Sequence, residues 1–147
     1  MKRRAGFTMI ELVVVVGIVG IMAVTAVPLY RTYQQRAYGS EASLMLKRIL
    51  DAQVLYYLDN EKFFPEFGQP SIDIYHNSSP SSPAITATEE ALNLTIPVRH
   101  FLDYSIVSIS LDECQVIISS HGGFPLYKDG STQIRGKLDR NGGISIF

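Results

Sequence analysis

The chain opens on three basic residues, Lys2, Arg3 and Arg4, and then turns apolar: between Leu12 and Tyr30 no side chain carries a charge. As a helix from Phe7 to Tyr30 this run is about 36 Å long, enough to cross a hydrocarbon core of about 30 Å. From Arg31 to Arg140 charged residues recur, and the apolar positions become periodic. Leu46, Ile49, Leu50, Gln53, Val54, Tyr57 and Leu58 follow helical i, i+3, i+4 spacing, while Arg36, Glu41, Lys47, Arg48 and Asp51 fall mostly on the other side. Apart from Gly39, no strong breaker interrupts residues 31–59. The pattern therefore predicts one helix of about 50 residues from Phe7, embedded in its first half and packed on a domain in its second. Phe64-Pro65 reads as its stop, because a residue before proline is biased away from helix.

Residues 66–102 lose periodicity. Pro70, Pro80, Pro83 and the run Asn77-Ser78-Ser79-Pro80-Ser81-Ser82-Pro83 read as an extended, solvated connecting loop. A short helix is expected to begin at Thr88, where Glu89 and Glu90 supply an acidic first turn. From residue 103 the chemistry is that of strands. Ser105–Ile109 and Gln115–Ser119 are β-branched runs, and Gln133–Asp139 is separated from Ile144–Phe147 by the turn Arg140-Asn141-Gly142-Gly143. The expectation is an α+β fold: one long N-terminal helix on an antiparallel sheet of three or four strands, whose face buries Leu50, Val54 and Tyr57. The segments are 1–6, 7–30, 31–65, 66–102 and 103–147.

Charge adds one constraint. The formal net charge is −1 and the basic residues are not concentrated on a face, so nucleic acid is not an expected partner. The heavier basic flank precedes the apolar run, which puts the N-terminus in the cytoplasm and residues 34–147 outside. Tyr30 and Tyr33 sit where interfacial aromatics belong. Cys114 is a lone cysteine and cannot form an intramolecular disulfide.

Glu11 separates the readings of the apolar run. A secretory signal peptide would use the basic start, the apolar core and Val24-Thr25-Ala26 as a cleavage site. It gains nothing from a carboxylate at the edge of that core, where an acidic residue costs about 2.5–3.5 kcal/mol to insert at a helix centre. No basic side chain lies within one helical turn downstream, so the available partner is a positive charge made by cutting the chain nearby.

Gly6-Phe7-Thr8-Met9-Ile10-Glu11-Leu12 resembles the processing site of type IV prepilins and the related pseudopilins. The resemblance implies that a prepilin peptidase cuts between Gly6 and Phe7, that the same enzyme family N-methylates Phe7, and that Glu11 becomes the fifth mature residue. It further implies that Glu11 pairs with the Phe7 amine of a neighbouring subunit and sets axial register. Two charges that are each costly in lipid are tolerated there as a pair. Pro28 falls where such pilins bend or locally melt the helix, as its missing donor and its clash with the preceding turn would require. The same resemblance implies a pilin fold, with a homo-oligomeric filament, other pilins and an assembly platform as partners. The precursor would lie in a bacterial inner membrane and the product in an extracellular or periplasmic filament. One departure is the disulfide that closes many pilin C-termini, which a lone Cys114 cannot make. Packing and hydrogen bonds must hold that region, or else a calcium ion on oxygen ligands such as Asp129, Asp139 and Asn141; solvated turn acids and no cofactor are expected.

No catalytic grouping emerges. His76, His100 and His121 lack metal-ligand spacing. Gly130–Lys137 has one residue too many for a phosphate loop and is followed by Leu138 instead of Ser or Thr. Asp112-Glu113 reads as turn chemistry. The expected function is that of a structural pilin, not an enzyme. A pseudopilin of a secretion or DNA-uptake machine is the alternative, and a single-pass anchored or secreted binding domain is further off.

Overall fold

The computed structural model describes residues 6–147. The basic leader residues Lys2, Arg3 and Arg4 lie outside the described residues. The chain divides into two compact units, Met1–Gln34 and Gln35–Phe147. Helix α1, Met9–Asn60, contributes to both.

In the first unit α1 is apolar on every side. The large apolar side chains from Phe7 to Tyr33 are all between 49% and 84% exposed, so none of the described residues covers a face. A helix that is hydrophobic all round needs lipid or other helices about it. Helical structure is assigned on both sides of Pro28, and Thr32 Oγ1 donates to the Pro28 carbonyl at 3.0 Å.

In the second unit the periodic stretch becomes one-sided. Ala42, Met45, Leu46, Ile49, Leu50 and Gln53 are buried, and Val54 and Tyr57 are half-buried against the core. Leu58, expected on the same face, is exposed, because α1 ends at Asn60, before the Phe64-Pro65 stop. Glu61 takes a positive φ of 58°, which turns the chain out of the helix.

The sheet has five antiparallel strands in the order β1-β2-β3-β4-β5: Ile72–Ile74, Leu102–Ser108, Glu113–Ser120, Gln133–Asp139 and Ile144–Ile146. Inward positions alternate along β2 (Leu102, Tyr104, Ile106, Ser108) and β3 (Cys114, Val116, Ile118, Ser120), as expected for a sheet with one covered face. Gly142, at φ +81°, supplies the left-handed residue of the β4–β5 turn. The extra strand over the expected three or four is β1, whose three residues are too few to show alternation; it is held by pairing with β2 through Ile72↔Ile106 and Ile74↔Tyr104.

The segment expected as a loop also carries helix α2, Pro83–Leu92, which starts five residues before Thr88. Ser82 is its N-cap residue and Pro83 its first helical residue, where the missing N–H of proline costs nothing. Thr88 lies inside it, buried with Ile85 and Leu92, its hydroxyl donating to the Ala84 carbonyl at 2.7 Å. Asn93 ends α2 in the left-handed region.

Candidate functional site

Gly6, Phe7 and Thr8 precede the first helical residue and are exposed. Nothing stands within 4 Å of where a Gly6 Cβ would be, and Phe7 is 75% exposed. A peptide bond between these two residues is therefore neither helical nor shielded, which is the state a processing enzyme needs in order to seat a backbone in its cleft.

Immediately behind it, Thr8 and Glu11 form a reciprocal cap. Glu11 Oε2 accepts from the Thr8 backbone N–H at 3.0 Å and from the Thr8 hydroxyl at 2.8 Å, while the Thr8 hydroxyl accepts from the Glu11 backbone N–H at 3.3 Å. This is the capping box, in which Ser or Thr at the cap and Glu three residues on satisfy each other's orphan donors. The carboxylate also lies in the first turn, where the helix dipole favours negative charge. Thr8-x-x-Glu11 already has the spacing of such a box in the sequence. Within a single chain, Glu11 thus has a neutral partner. Its expected pairing with Phe7 of another copy would exchange hydrogen bonds to a neutral residue for a charged donor.

The acidic turn residues hold their own loops. Asp129 Oδ1 accepts from the Ser131 N–H at 3.0 Å and its hydroxyl at 2.7 Å, and these bonds keep its carboxyl below the usual range. Asp139 Oδ1 accepts from Asn141 N–H and Gly143 N–H, both at 2.8 Å. Cys114 is buried under the sheet, and burial pushes its thiol up to about 12. The histidines divide: His100 lies 3.4 Å from Glu41, whereas His76 and His121 meet at one end of the sheet although 45 positions apart in sequence.

Residues 1–27 match the family model described as the prokaryotic N-terminal methylation motif. No curated protein and no solved structure matches the chain. The motif and the uncovered apolar helix fit a membrane-anchored precursor, and the motif points to a structural subunit and not to an enzyme. The matched span takes in Gly6, Phe7 and Glu11 and stops one residue before Pro28: the chain carries the prepilin signature that type IV pilins and pseudopilins share.

Proposed function

We propose that this chain is a structural subunit of a type IV pilus-like filament, inserted in the inner membrane as a precursor, cut between Gly6 and Phe7 and assembled through α1. The observation that carries the reading is the methylation motif placed directly on a helix whose apolar surface the described residues leave uncovered on all sides. Lipid covers that surface in the precursor, and the helices of neighbouring subunits cover it in the filament. The free energy of assembly comes from packing of these helices, and the direction comes from charge.

Cleavage creates an ammonium at Phe7, and a carboxylate in a low-dielectric core interacts far more strongly with a cation than with the neutral Thr8 donors. Glu11 would then trade its cap for the Phe7 amine of a neighbour only when the two helices are in correct axial register. Pro28, which lacks a backbone donor, leaves the carbonyl one turn before it unpaired and marks where α1 would bend or loosen on packing.

Mass and N-terminal sequencing of the mature protein test this directly. A chain beginning with methylated Phe7 is expected, and one beginning at Val27 or retaining Met1 would overturn it. Glu11→Gln sharpens the test, since glutamine preserves the capping box but not the charge. Filaments are expected to be lost in both Glu11→Gln and Glu11→Ala, with membrane insertion intact. Assembly of Glu11→Gln at the wild-type level would refute the charge pair. Recovery of the chain in a sheared surface fraction would mark a pilus, and its retention in the periplasm a pseudopilus.

A further inference from the structure

Three segments far apart in sequence converge at one end of the sheet: the loop after β1 brings His76, the start of β2 brings Asp103, and the turn after β3 brings His121. The two imidazoles stack with centroids 3.5 Å apart and planes 28° from parallel. Both turn a ring nitrogen to the same carboxylate, His76 Nδ1 at 3.1 Å from Asp103 Oδ1 and His121 Nδ1 at 3.9 Å from Asp103 Oδ2. The backbone fixes the arrangement: His76 N–H donates to Asp103 Oδ1 at 2.6 Å, His121 N–H to the Phe101 carbonyl at 2.7 Å, and Arg99 N–H to the His76 carbonyl at 2.8 Å.

We propose that His76, Asp103 and His121 form a binding site for a divalent transition-metal ion of the zinc class. Two imidazoles and a carboxylate are the donor set such ions take, and nitrogen donors disfavour calcium and magnesium. One ligand atom from each residue lies within 4.8 Å of the others. Tetrahedral coordination at zinc bond lengths puts ligand atoms about 3.4 Å apart, so the three residues would close in by little more than an ångström at most to reach it. Binding would unstack the two rings, because imidazoles whose planes lie only 28° apart do not both aim a lone pair at one ion.

The His76 and Asp103 side chains are about a quarter exposed and His121 about half, so the site opens to solvent and leaves positions for water. With the ion bound, the loop after β1 is tied to the ends of β2 and β3. That constraint stabilises the globular unit, because the unfolded chain offers no preformed site.

The test uses the full chain in detergent, purified without a histidine tag and stripped with chelator, titrated with zinc against a competing chromophoric chelator. One zinc per chain is expected, with a rise in melting temperature that calcium does not reproduce. His121→Ala removes a half-exposed side chain and should fold normally, yet weaken zinc by at least roughly the 10–100-fold that loss of an outer-shell partner costs. His76→Ala should do the same, and His100→Ala should bind like wild type. Zinc binding equal in wild type and His121→Ala, or lost equally in His100→Ala, would overturn the proposal and leave the cluster as a hydrogen-bonded pair of rings on a carboxylate. That readout is independent of N-terminal processing, so it stands or falls apart from the filament reading.

Discussion

Gln53 is fully buried on the core face of α1, where the other buried residues carry no polar side chain. Its amide is occupied on both sides by one residue: Nε2 donates to the Phe64 carbonyl, and Oε1 accepts from the Phe64 N–H at 3.1 Å. The chain leaving α1 is further held by Ser108, whose hydroxyl donates to the Pro65 carbonyl, and by burial of the Phe63 ring. Gln53→Leu keeps most of the volume and removes both bonds. Each orphaned backbone group costs about 1–3 kcal/mol, and because Phe64 is only half-buried the lower part of that range applies to each. The gain from a more apolar side chain offsets a fraction of that sum, leaving a loss of about 1–3 kcal/mol. For a unit of this size that lowers the melting temperature by roughly 5–15 °C. The assay is thermal unfolding of the full chain in detergent, followed by near-ultraviolet circular dichroism from the tyrosines. Gln53→Glu separates hydrogen bonding from volume, because it keeps the acceptor and loses the donor. Its buried carboxyl is favoured in the neutral form, which donates again, so its stability should be greatest in acid and fall as pH rises through the raised folded value. Gln53→Leu melting at the wild-type temperature would refute the argument.

Glycine positions test the packing of the second unit. A Cβ on Gly39 would lie 2.4 Å from the Leu126 carbonyl oxygen, which is backbone and cannot turn aside; Gly39→Ala is expected to cost about 1–3 kcal/mol despite the better helix propensity of alanine. At Gly136 the nearest atoms are Leu50 Cδ1 at 2.7 Å and Leu46 Cδ1 at 3.1 Å, flexible side-chain ends. Gly136→Ala should therefore cost less than Gly39→Ala, and the reverse order in denaturant melts would show that the helix packs differently. Cys114, with its thiol pushed up to about 12, is expected to resist maleimide at neutral pH in the folded chain and to react fully once unfolded. Modification of the native chain at the rate of a free thiol would contradict its burial.

Much of this protein is set by local rules that a linear chain displays. The all-round apolar run before Arg31, the i, i+3, i+4 face from Leu46 to Tyr57, the strand runs on either side of Asp112 and the Asn141-Gly142 turn each depend on residues a few positions apart. So does the methylation motif, which an enzyme reads as a contiguous peptide. The elements that differ from expectation are those whose local signals are ambiguous. Pro83 marks a loop as readily as the first turn of a helix, and three residues are too few to announce β1.

Tertiary structure alone decided why Gly39 and Gly136 carry no side chain, why a glutamine belongs among leucines at position 53, and that His76 and His121 share Asp103. Each of these depends on atoms brought close by antiparallel pairing and by the fold of the chain after α1. Separation in sequence holds no record of that distance, because it is fixed by the sum of many packing choices and by no single one.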